Sequence, residues 1–231
     1  MTEQMDYTDY WQGAWENRDE RNYYDKLYRD IKHRLVIPAG SKILDVGGGD
    51  GHFMHYMGIK GAAILDISDS GLETAASHGF IPIKADLEKP FPIPQNSYDV
   101  AFCFEVFEHL RLAEVTAVET CKALKPGGVL YVGQPNMRAD GVHHVRRFYK
   151  QDVINIVEQN GFKIEWMDYV PGFIVREAIW DDIVRTPSWF RKLKQSVALG
   201  ISLLPRKVLY RLATLIPDRF CLIFVVKAVK Q

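Results

Sequence analysis

The chain has 231 residues, 47% of them apolar, and its 29 basic and 29 acidic side chains leave no formal net charge. This length and composition can bury one sizeable core, so we expect a single domain over residues 1–231. The three cysteines are widely separated and lack metal-ligand spacing, which argues against a disulfide framework. There is no apolar run of bilayer-spanning length and no signal-peptide pattern, so we expect a soluble cytoplasmic protein.

Residues 1–37 are rich in aromatic side chains interleaved with charges. In the second half of this segment Leu27, Ile31 and Leu35 recur at helical spacing. That spacing predicts an amphipathic helix packed against a sheet.

A glycine-rich turn follows a short apolar run at residues 43–53, which read ILDVGGGDGHF. The pattern predicts a buried strand that turns sharply into a helix, and Gly47, Gly49 and Gly51 let a ligand approach the backbone closely. The spacing G-x-G-x-G differs from the G-x-G-x-x-G that binds nicotinamide dinucleotides. Asp45 would repel a pyrophosphate but suits a ligand with an ammonium and a sulfonium, such as S-adenosylmethionine.

This motif resembles the first motif of the class I S-adenosylmethionine-dependent methyltransferases, which reads much like D-x-G-x-G-x-G. The resemblance implies S-adenosylmethionine as the cofactor. In that family an N-terminal segment often folds over the cofactor. Residues 1–37 are therefore expected to form a helical cover, with Tyr10 or Trp11 over the cofactor, although core packing explains the same aromatic side chains.

The sequence AAILDIS at residues 62–68 predicts a second strand, and a short helix capped by Ser68 should follow and end before Gly79. By the resemblance, Asp66 accepts hydrogen bonds from both ribose hydroxyls of the cofactor, and Ile67 lies beside it.

A third strand is predicted at residues 80–85, directly before Asp86 and Leu87. In the resembled family, an aspartate here lies beside the adenine amino group and the next residue packs on the adenine ring. A simple turn-forming role is the alternative for Asp86.

The apolar run YDVAFCF at residues 98–104 is typical of a central parallel strand, and it leads into EVFEHL. Ligands bind at the carboxyl ends of strands in open α/β sheets, so the backbone near Phe104 and Glu105 should line the cofactor pocket. Glu108 and His109 are candidates for contact with the cofactor or the substrate.

Further elements follow toward the C-terminus. We predict a helix over 112–124 stopped by the glycines of KPGG, a strand over 129–136, a helix over 152–159, a strand over 162–170 and a last strand over 220–230. The fold class is α/β, a doubly wound, mostly parallel seven-stranded sheet. By the resemblance its order is 3-2-1-4-5-7-6, with the last strand antiparallel.

A long segment at residues 171–219 separates the sixth and seventh predicted strands. Such a length without secondary structure is unusual in a compact domain, so we predict a helical cap inserted beside the site. Between residues 183 and 217 there are seven basic residues and no acidic one. This asymmetry favours an anionic acceptor or carrier, or peripheral contact with an anionic membrane, whereas the pattern of RNA-binding modules is missing. A solvated polar face is the alternative.

Three histidines are candidate catalytic bases because an acceptor hydroxyl or ammonium must lose a proton before methyl transfer. They are His109, His143 and His144. Glu105, Glu108 and His109 also form E-x-x-E-H. Together with a later histidine before R-R-F, His143 or His144, this pattern looks like the metal-binding set of small-RNA 2′-O-methyltransferases and some quinone O-methyltransferases. Metal-independent relatives carry a similar pattern, and we expect no metal here.

The sequence therefore predicts a methyltransferase that acts on an oxygen or nitrogen of a small or carrier-bound acceptor. The rival hypothesis is a non-catalytic S-adenosylmethionine-binding scaffold. The residues expected to bind the cofactor are Asp45, Gly47, Gly49, Gly51, Asp66, Ile67, Asp86, Leu87, Phe104 and Glu105.

Overall fold

The computed structural model describes residues 18–136, 144–170 and 223–231, together with a few single positions between 192 and 211. Seven strands form one sheet in the order β3-β2-β1-β4-β5-β7-β6. Every pairing among β1 to β5 is parallel, and β7 runs antiparallel to both β5 and β6. The strands are β1 Ile43–Val46, β2 Ala63–Asp66, β3 Ile81–Lys84, β4 Tyr98–Phe104, β5 Leu124–Pro135, β6 Phe162–Val170 and β7 Ile223–Lys230. The predicted fold class and strand order are confirmed.

Five helices surround this sheet in the described residues. They are α1 Arg18–Lys32, α2 His52–Met57, α3 Asp69–Ser77, α4 Ala113–Ala123 and α5 Lys150–Gln159. A short 3₁₀ turn, Phe107–His109, follows β4.

Alternating residues of the central strands point to opposite faces and build two separate hydrophobic clusters. Leu44 and Val46 of β1 belong to the cluster that includes residues of α4 and α5. Ile43 belongs to the cluster that includes α1, α2 and α3. Asp45 follows the same alternation as Ile43, so its carboxylate lies on the α1 and α2 face of the sheet.

The KPGG segment forms a different structure from the one predicted. α4 ends at Ala123, and Leu124 is already extended, with φ −73 and ψ 145. β5 begins at Leu124, and its register against β4 shifts between the Tyr98 and Val100 pairs. The glycines therefore lie in an irregular part of β5, and the prediction that they cap a helix is wrong.

Smaller boundary differences have local causes. α5 begins at Lys150, two residues before the predicted start, because the Asp152 carboxylate accepts a hydrogen bond from the Tyr149 amide at 2.8 Å and so belongs to the first turn. α1 ends before Leu35, although Leu27 and Ile31 are buried as predicted. β2 and β3 are each shorter than the runs predicted for them.

Several predictions fall on residues that the structure does not describe. They concern Tyr10, Trp11, His143, Cys221 and, apart from the single positions, the cap at residues 171–219. Among the described helices, none combines the length and the apolar character needed to cross a bilayer.

Candidate functional site

The glycine turn after β1 has the backbone conformation that only glycine adopts readily. Gly47, Gly49 and Gly51 have φ values of 73°, 53° and 78°, all in the left-handed region. A Cβ atom on Gly47 would lie 2.6 Å from the Val106 Cγ2, so a side chain there would collide with the turn after β4. The sequence thus brings the end of β1 and the end of β4 into direct contact.

Asp66, at the end of β2, holds this turn in place. Its Oδ2 accepts a hydrogen bond from the Gly49 amide at 2.9 Å, and its Oδ1 accepts one from the Ser68 amide at 2.9 Å. Burial raises the pKa of Asp66, while these backbone amides oppose the rise. The carboxylate therefore braces the glycine turn, a role that was not predicted from the sequence.

Asp45 is almost completely buried beneath the same turn. Its Oδ2 has no hydrogen-bond partner within the described residues. Burial, reinforced by the nearby Asp66 and Asp50, raises the pKa of Asp45 to about 8. A Cβ on Gly48 would lie 2.5 Å from this Oδ2, so Gly48 is required by close packing against Asp45. Gly48 was not among the predicted site residues because Gly47 and Gly49 already satisfied the glycine motif.

The predicted adenosine-side residues lie after β2 and β3. Ile67 is an exposed apolar side chain, whereas Leu87 is buried and would lie 3.4 Å from a Cβ on Gly47. Asp86 accepts a hydrogen bond from the Glu88 amide at 3.0 Å and pairs with Lys89 at 3.0 Å. Burial alone would raise the pKa of Asp86. The hydrogen bonds from Lys89 and the Glu88 amide outweigh this effect, so the pKa lies below its ordinary value. Asp86 thus forms a turn and still presents an ionised carboxylate.

Phe104 and Glu105 differ in what they offer to a ligand. The Phe104 ring packs in the core against Phe53, with ring centroids 4.7 Å apart, and Gly133 provides its space because a Cβ there would lie 1.9 Å from the ring. Glu105 has φ 56°, an unusual value for a residue other than glycine, and its amide donates to the Gly133 carbonyl at 2.8 Å. Within the described residues its Oε1 is buried and has no hydrogen-bond partner, and burial, followed by the nearby Glu108, raises its pKa. The Phe104 ring is therefore committed to core packing.

A second group of polar side chains gathers at the carboxyl ends of β4 and β5. The buried Glu108 accepts a hydrogen bond at Oε2 from Gln134 Nε2 at 3.0 Å. Among the residues that the structure describes, its Oε1 has no hydrogen-bond partner, and it lies 3.8 Å from His109 Nε2 and 4.0 Å from His144 Nε2. Burial raises the pKa of Glu108 to about 8. We call Glu108, His109 and His144 the acceptor-side cluster.

The acceptor-side cluster differs from the set suggested by the sequence spacing. One ligand atom from each of its three members lies within 4.8 Å of the others, and Glu105 is not part of this group. The pKa of Tyr28 on α1 is raised mainly by burial, next by Asp45 and then by Glu105. Of the two glutamates of E-x-x-E-H, Glu108 therefore belongs to the cluster and Glu105 lies outside it, although Glu108 is close enough to raise the pKa of Glu105.

The residues around the glycine turn fit S-adenosylmethionine. The glycines allow close approach to the backbone, and the buried, unpartnered Asp45 Oδ2 suits an ammonium or sulfonium group. This site and the acceptor-side cluster meet where Val106 contacts Gly47. A cofactor site thus lies beside a cluster that can accept a proton.

Comparison with known proteins agrees with this geometry. A family model described as a methyltransferase domain matches residues 18–169. A protein of Talaromyces variabilis named as an S-adenosyl-L-methionine-dependent Diels-Alderase is 33% identical over 135 residues, which are 50% of this chain and 46% of that protein. A ubiquinone biosynthesis O-methyltransferase of Chromobacterium violaceum is 32% identical over 125 residues, 49% of this chain and 52% of that protein. The chain spans about half the length of these two relatives.

A solved structure shows the same fold. It is a chain of the complex between the Haloferax volcanii Trm112 methyltransferase activator and a methyltransferase, with a TM-score of 0.68, 15% sequence identity and 98% of both chains covered. With the family match over residues 18–169, the chain belongs to the methyltransferase-domain family of the class I superfamily, and its cofactor is S-adenosylmethionine.

Proposed function

We propose that this protein transfers a methyl group to an oxygen or nitrogen atom of a small or carrier-bound acceptor, and that the acceptor-side cluster removes the acceptor's proton. The observation that carries the proposal is the buried Glu108 Oε1, which has no hydrogen-bond partner in the described part of the chain and lies within 4.0 Å of two imidazole nitrogens. A carboxylate beside histidine is a common general-base arrangement.

S-adenosylmethionine supplies an already activated methyl group, so the protein has to orient an acceptor, exclude water and manage one proton. His109 or His144 accepts the proton from the acceptor hydroxyl or ammonium. Glu108 then stabilises the resulting imidazolium through its Oε1, and Gln134 holds the other carboxylate oxygen in position. On the cofactor side, Asp45 would hold the cationic amino-acid end of S-adenosylmethionine, Asp66 its ribose, and Asp86 with Leu87 its adenine.

The test is an acceptor screen of phenols, catechols, amines and carrier-bound analogues that monitors release of S-adenosylhomocysteine. With an acceptor in hand, Glu108→Gln should lower kcat by about 100-fold, because the histidine that acts as the base would lose the carboxylate that stabilises its imidazolium, and a positioned base contributes about 100-fold or more. Asp99→Asn is the control, since Asp99 pairs with the exposed Lys125 at the opposite end of β4. Equal kcat values in the wild type and Glu108→Gln would contradict the assigned role of Glu108.

A divalent cation is a second candidate occupant of the acceptor-side cluster. Two imidazoles and one carboxylate with ligand atoms inside 4.8 Å match a known ligand set for transition metals. A bound cation would hold a vicinal oxygen pair of the acceptor and lower its pKa. Our expectation is that Mn²⁺, Zn²⁺ and Mg²⁺ leave the melting temperature unchanged. A metal-dependent increase that Glu108→Gln abolishes would replace the metal-free proposal with methylation of a diol or catechol.

The Diels-Alderase relative adds a rival distinct from the non-catalytic scaffold, an enzyme that depends on S-adenosylmethionine without transferring its methyl group. A protein of that kind would bind the cofactor and consume a substrate without releasing S-adenosylhomocysteine. The same screen separates the two functions, because methyl transfer releases one S-adenosylhomocysteine for each product molecule. Substrate loss without this release would favour the rival.

A further inference from the structure

The backbone that follows His144 is fastened directly to the acceptor-side cluster. The amides of Val145 and Arg146 both donate hydrogen bonds to the Glu108 carbonyl oxygen, at 2.8 Å and 3.2 Å. A further contact joins Phe148 to Phe107, with ring centroids 6.3 Å apart, and both rings are buried. Residues 145–148 therefore lie along the 3₁₀ turn that carries Glu108 and His109.

The Arg146 side chain fixes the same segment to the start of α4. Its Nη1 lies 3.1 Å from both carboxylate oxygens of Glu114, and its Nη2 lies 3.2 Å from Glu114 Oε1. Nη1 also donates to the Arg111 carbonyl at 3.1 Å, and the guanidinium lies over the Phe148 ring at 4.8 Å. A planar guanidinium with partners on two sides and a ring below it has one preferred orientation.

The Arg146 contacts are better suited to positioning than to global stability. The side chains of Arg146 and Glu114 are 35% and 48% exposed, and ion pairs between side chains this exposed add little to the stability of a protein. They nevertheless determine the path of the residues immediately after His144. The His144 ring lies edge-on to the His109 ring, with centroids 5.2 Å apart.

We propose that Arg146, paired with Glu114, is a positioning residue that holds the His144 imidazole against Glu108 and His109. The functional meaning of this placement rests on the proposed role of the acceptor-side cluster. The claim that Arg146 holds the His144 ring against His109 does not rest on that role, because the contact between the two rings can be measured without an acceptor. Arg146 itself touches none of the reacting groups and acts through His144.

The experiment measures the nuclear Overhauser cross-peak between the ring protons of His109 and His144 in protein saturated with S-adenosylhomocysteine. Arg146→Lys retains the positive charge but loses the planar fork, so a change reports geometry rather than charge. We expect the cross-peak to fall several-fold in Arg146→Lys and also in Glu114→Gln, which alters the other partner of the pair. Both variants should melt within a few degrees of the wild type.

Lys125→Gln is the matched control, because Lys125 and Asp99 form an ion pair of similar exposure at the amino end of β4. Its cross-peak should equal that of the wild type. Wild-type cross-peak intensity in both Arg146→Lys and Glu114→Gln would overturn the positioning role. If either variant fails to fold, the other decides.

A kinetic measurement adds a second readout once an acceptor is known. Arg146→Lys should lower kcat by about 10-fold with an unchanged KM for S-adenosylmethionine, because small misplacements of a catalytic group are costly. A variant that loses the cross-peak but retains wild-type kcat would overturn the catalytic meaning of the placement. If the wild-type protein methylates no acceptor, the proposed function fails, while the cross-peak still decides whether Arg146 positions His144.

Discussion

Asp66 combines two roles within one carboxylate. Its oxygens accept hydrogen bonds from the amides of Gly49 and Ser68, so it connects the end of β2 to the glycine turn. The family resemblance assigns the same carboxylate to the ribose hydroxyls. Removal of the carboxylate should therefore affect the shape of the cofactor site as well as the direct contact.

We predict that Asp66→Ala weakens S-adenosylhomocysteine binding by about 1–3 kcal/mol, because buried polar partners lose their acceptor. Isothermal titration calorimetry measures this change. The control is Ser68→Ala, which removes the Ser68 Oγ that caps α3 through the Gly71 amide but leaves Asp66 in place. It should cost about 1 kcal/mol of stability with little change in affinity. Unchanged affinity in Asp66→Ala would contradict the role of Asp66.

Asp45 and Glu108 are buried carboxyl groups whose pKa values are raised to about 8. At a pH between about 4, the ordinary carboxyl pKa, and about 8, the folded protein binds more protons at these two groups than the unfolded chain does. The stabilising contribution of these protons is therefore largest at acidic pH and is lost as pH rises toward 8. Burial in the ligand-free site is the main physical cause.

We predict that the melting temperature of the ligand-free protein falls between pH 5.5 and pH 8.5, and that Asp45→Asn makes this fall shallower. Differential scanning calorimetry across this range measures both slopes. Asp99→Asn is the control, since Lys125 lowers the pKa of Asp99 and its titration lies below the range. A melting temperature that rises with pH, or identical slopes in the wild type and Asp45→Asn, would contradict the prediction.

At the scale of elements, α1 is attached to the cofactor side of the fold at several points. Asp25 pairs with His52, the first residue of α2, at 2.9 Å. The Tyr28 ring contacts those of His52 and Phe53, with centroids 5.7 Å and 4.8 Å apart. Just beyond the helix, Arg34 pairs with Asp168 of β6. These contacts place α1 against the helix that starts at the glycine turn, as a helical cover requires.

We predict that Asp25→Asn loosens α1 and weakens S-adenosylhomocysteine binding by up to about five-fold, since a partly exposed ion pair contributes about 0.2–1 kcal/mol. Hydrogen exchange should become faster across Arg18–Lys32, and calorimetry gives the affinity. Asp30→Asn, a change of the same type on the same helix, should leave the affinity unchanged. Equal exchange rates and affinities in the wild type and Asp25→Asn would show that α1 is held by apolar packing alone.

At the scale of the whole molecule, charge is unevenly distributed along the sequence. Residues 183–217 carry seven basic side chains and no acidic one, so the remaining residues carry a formal net charge of minus seven. This segment lies outside the described residues apart from single positions. We propose from the sequence that it meets an anionic acceptor, carrier or membrane surface.

We predict salt-sensitive association with liposomes that contain anionic lipids, because each cation near such a surface contributes about 1 kcal/mol. Changing Arg191, Lys192 and Lys194 to Gln should reduce sedimentation with these liposomes at low salt. The control changes Lys60, Lys122 and Lys163, exposed lysines of the described fold, in the same way. Undiminished sedimentation and acceptor affinity in the first variant would identify the segment as a solvated face.

The fold class, the cofactor class and most strands could be predicted from the amino-acid sequence, because these depend on local patterns. The observed bounds of β4 and β6 match the predicted ones. The glycine turn was also predictable, since glycine adopts the left-handed backbone conformation more readily than other residues. The sheet order came from the family resemblance, because local patterns do not specify which strands become neighbours.

Contacts between distant segments could not be predicted from local patterns. KPGG looks like a helix terminator in isolation, yet pairing of β4 with β5 places it within a strand. The sequence pattern grouped Glu105 and Glu108 with a later histidine, His143 or His144, whereas the structure groups His144 with Glu108 and His109 and leaves Glu105 outside. Asp66 braces Gly49 because parallel pairing places the ends of β1 and β2 side by side. The physical reason is that such contacts depend on strand order, register and chain direction in space, which the residue types at each position leave open.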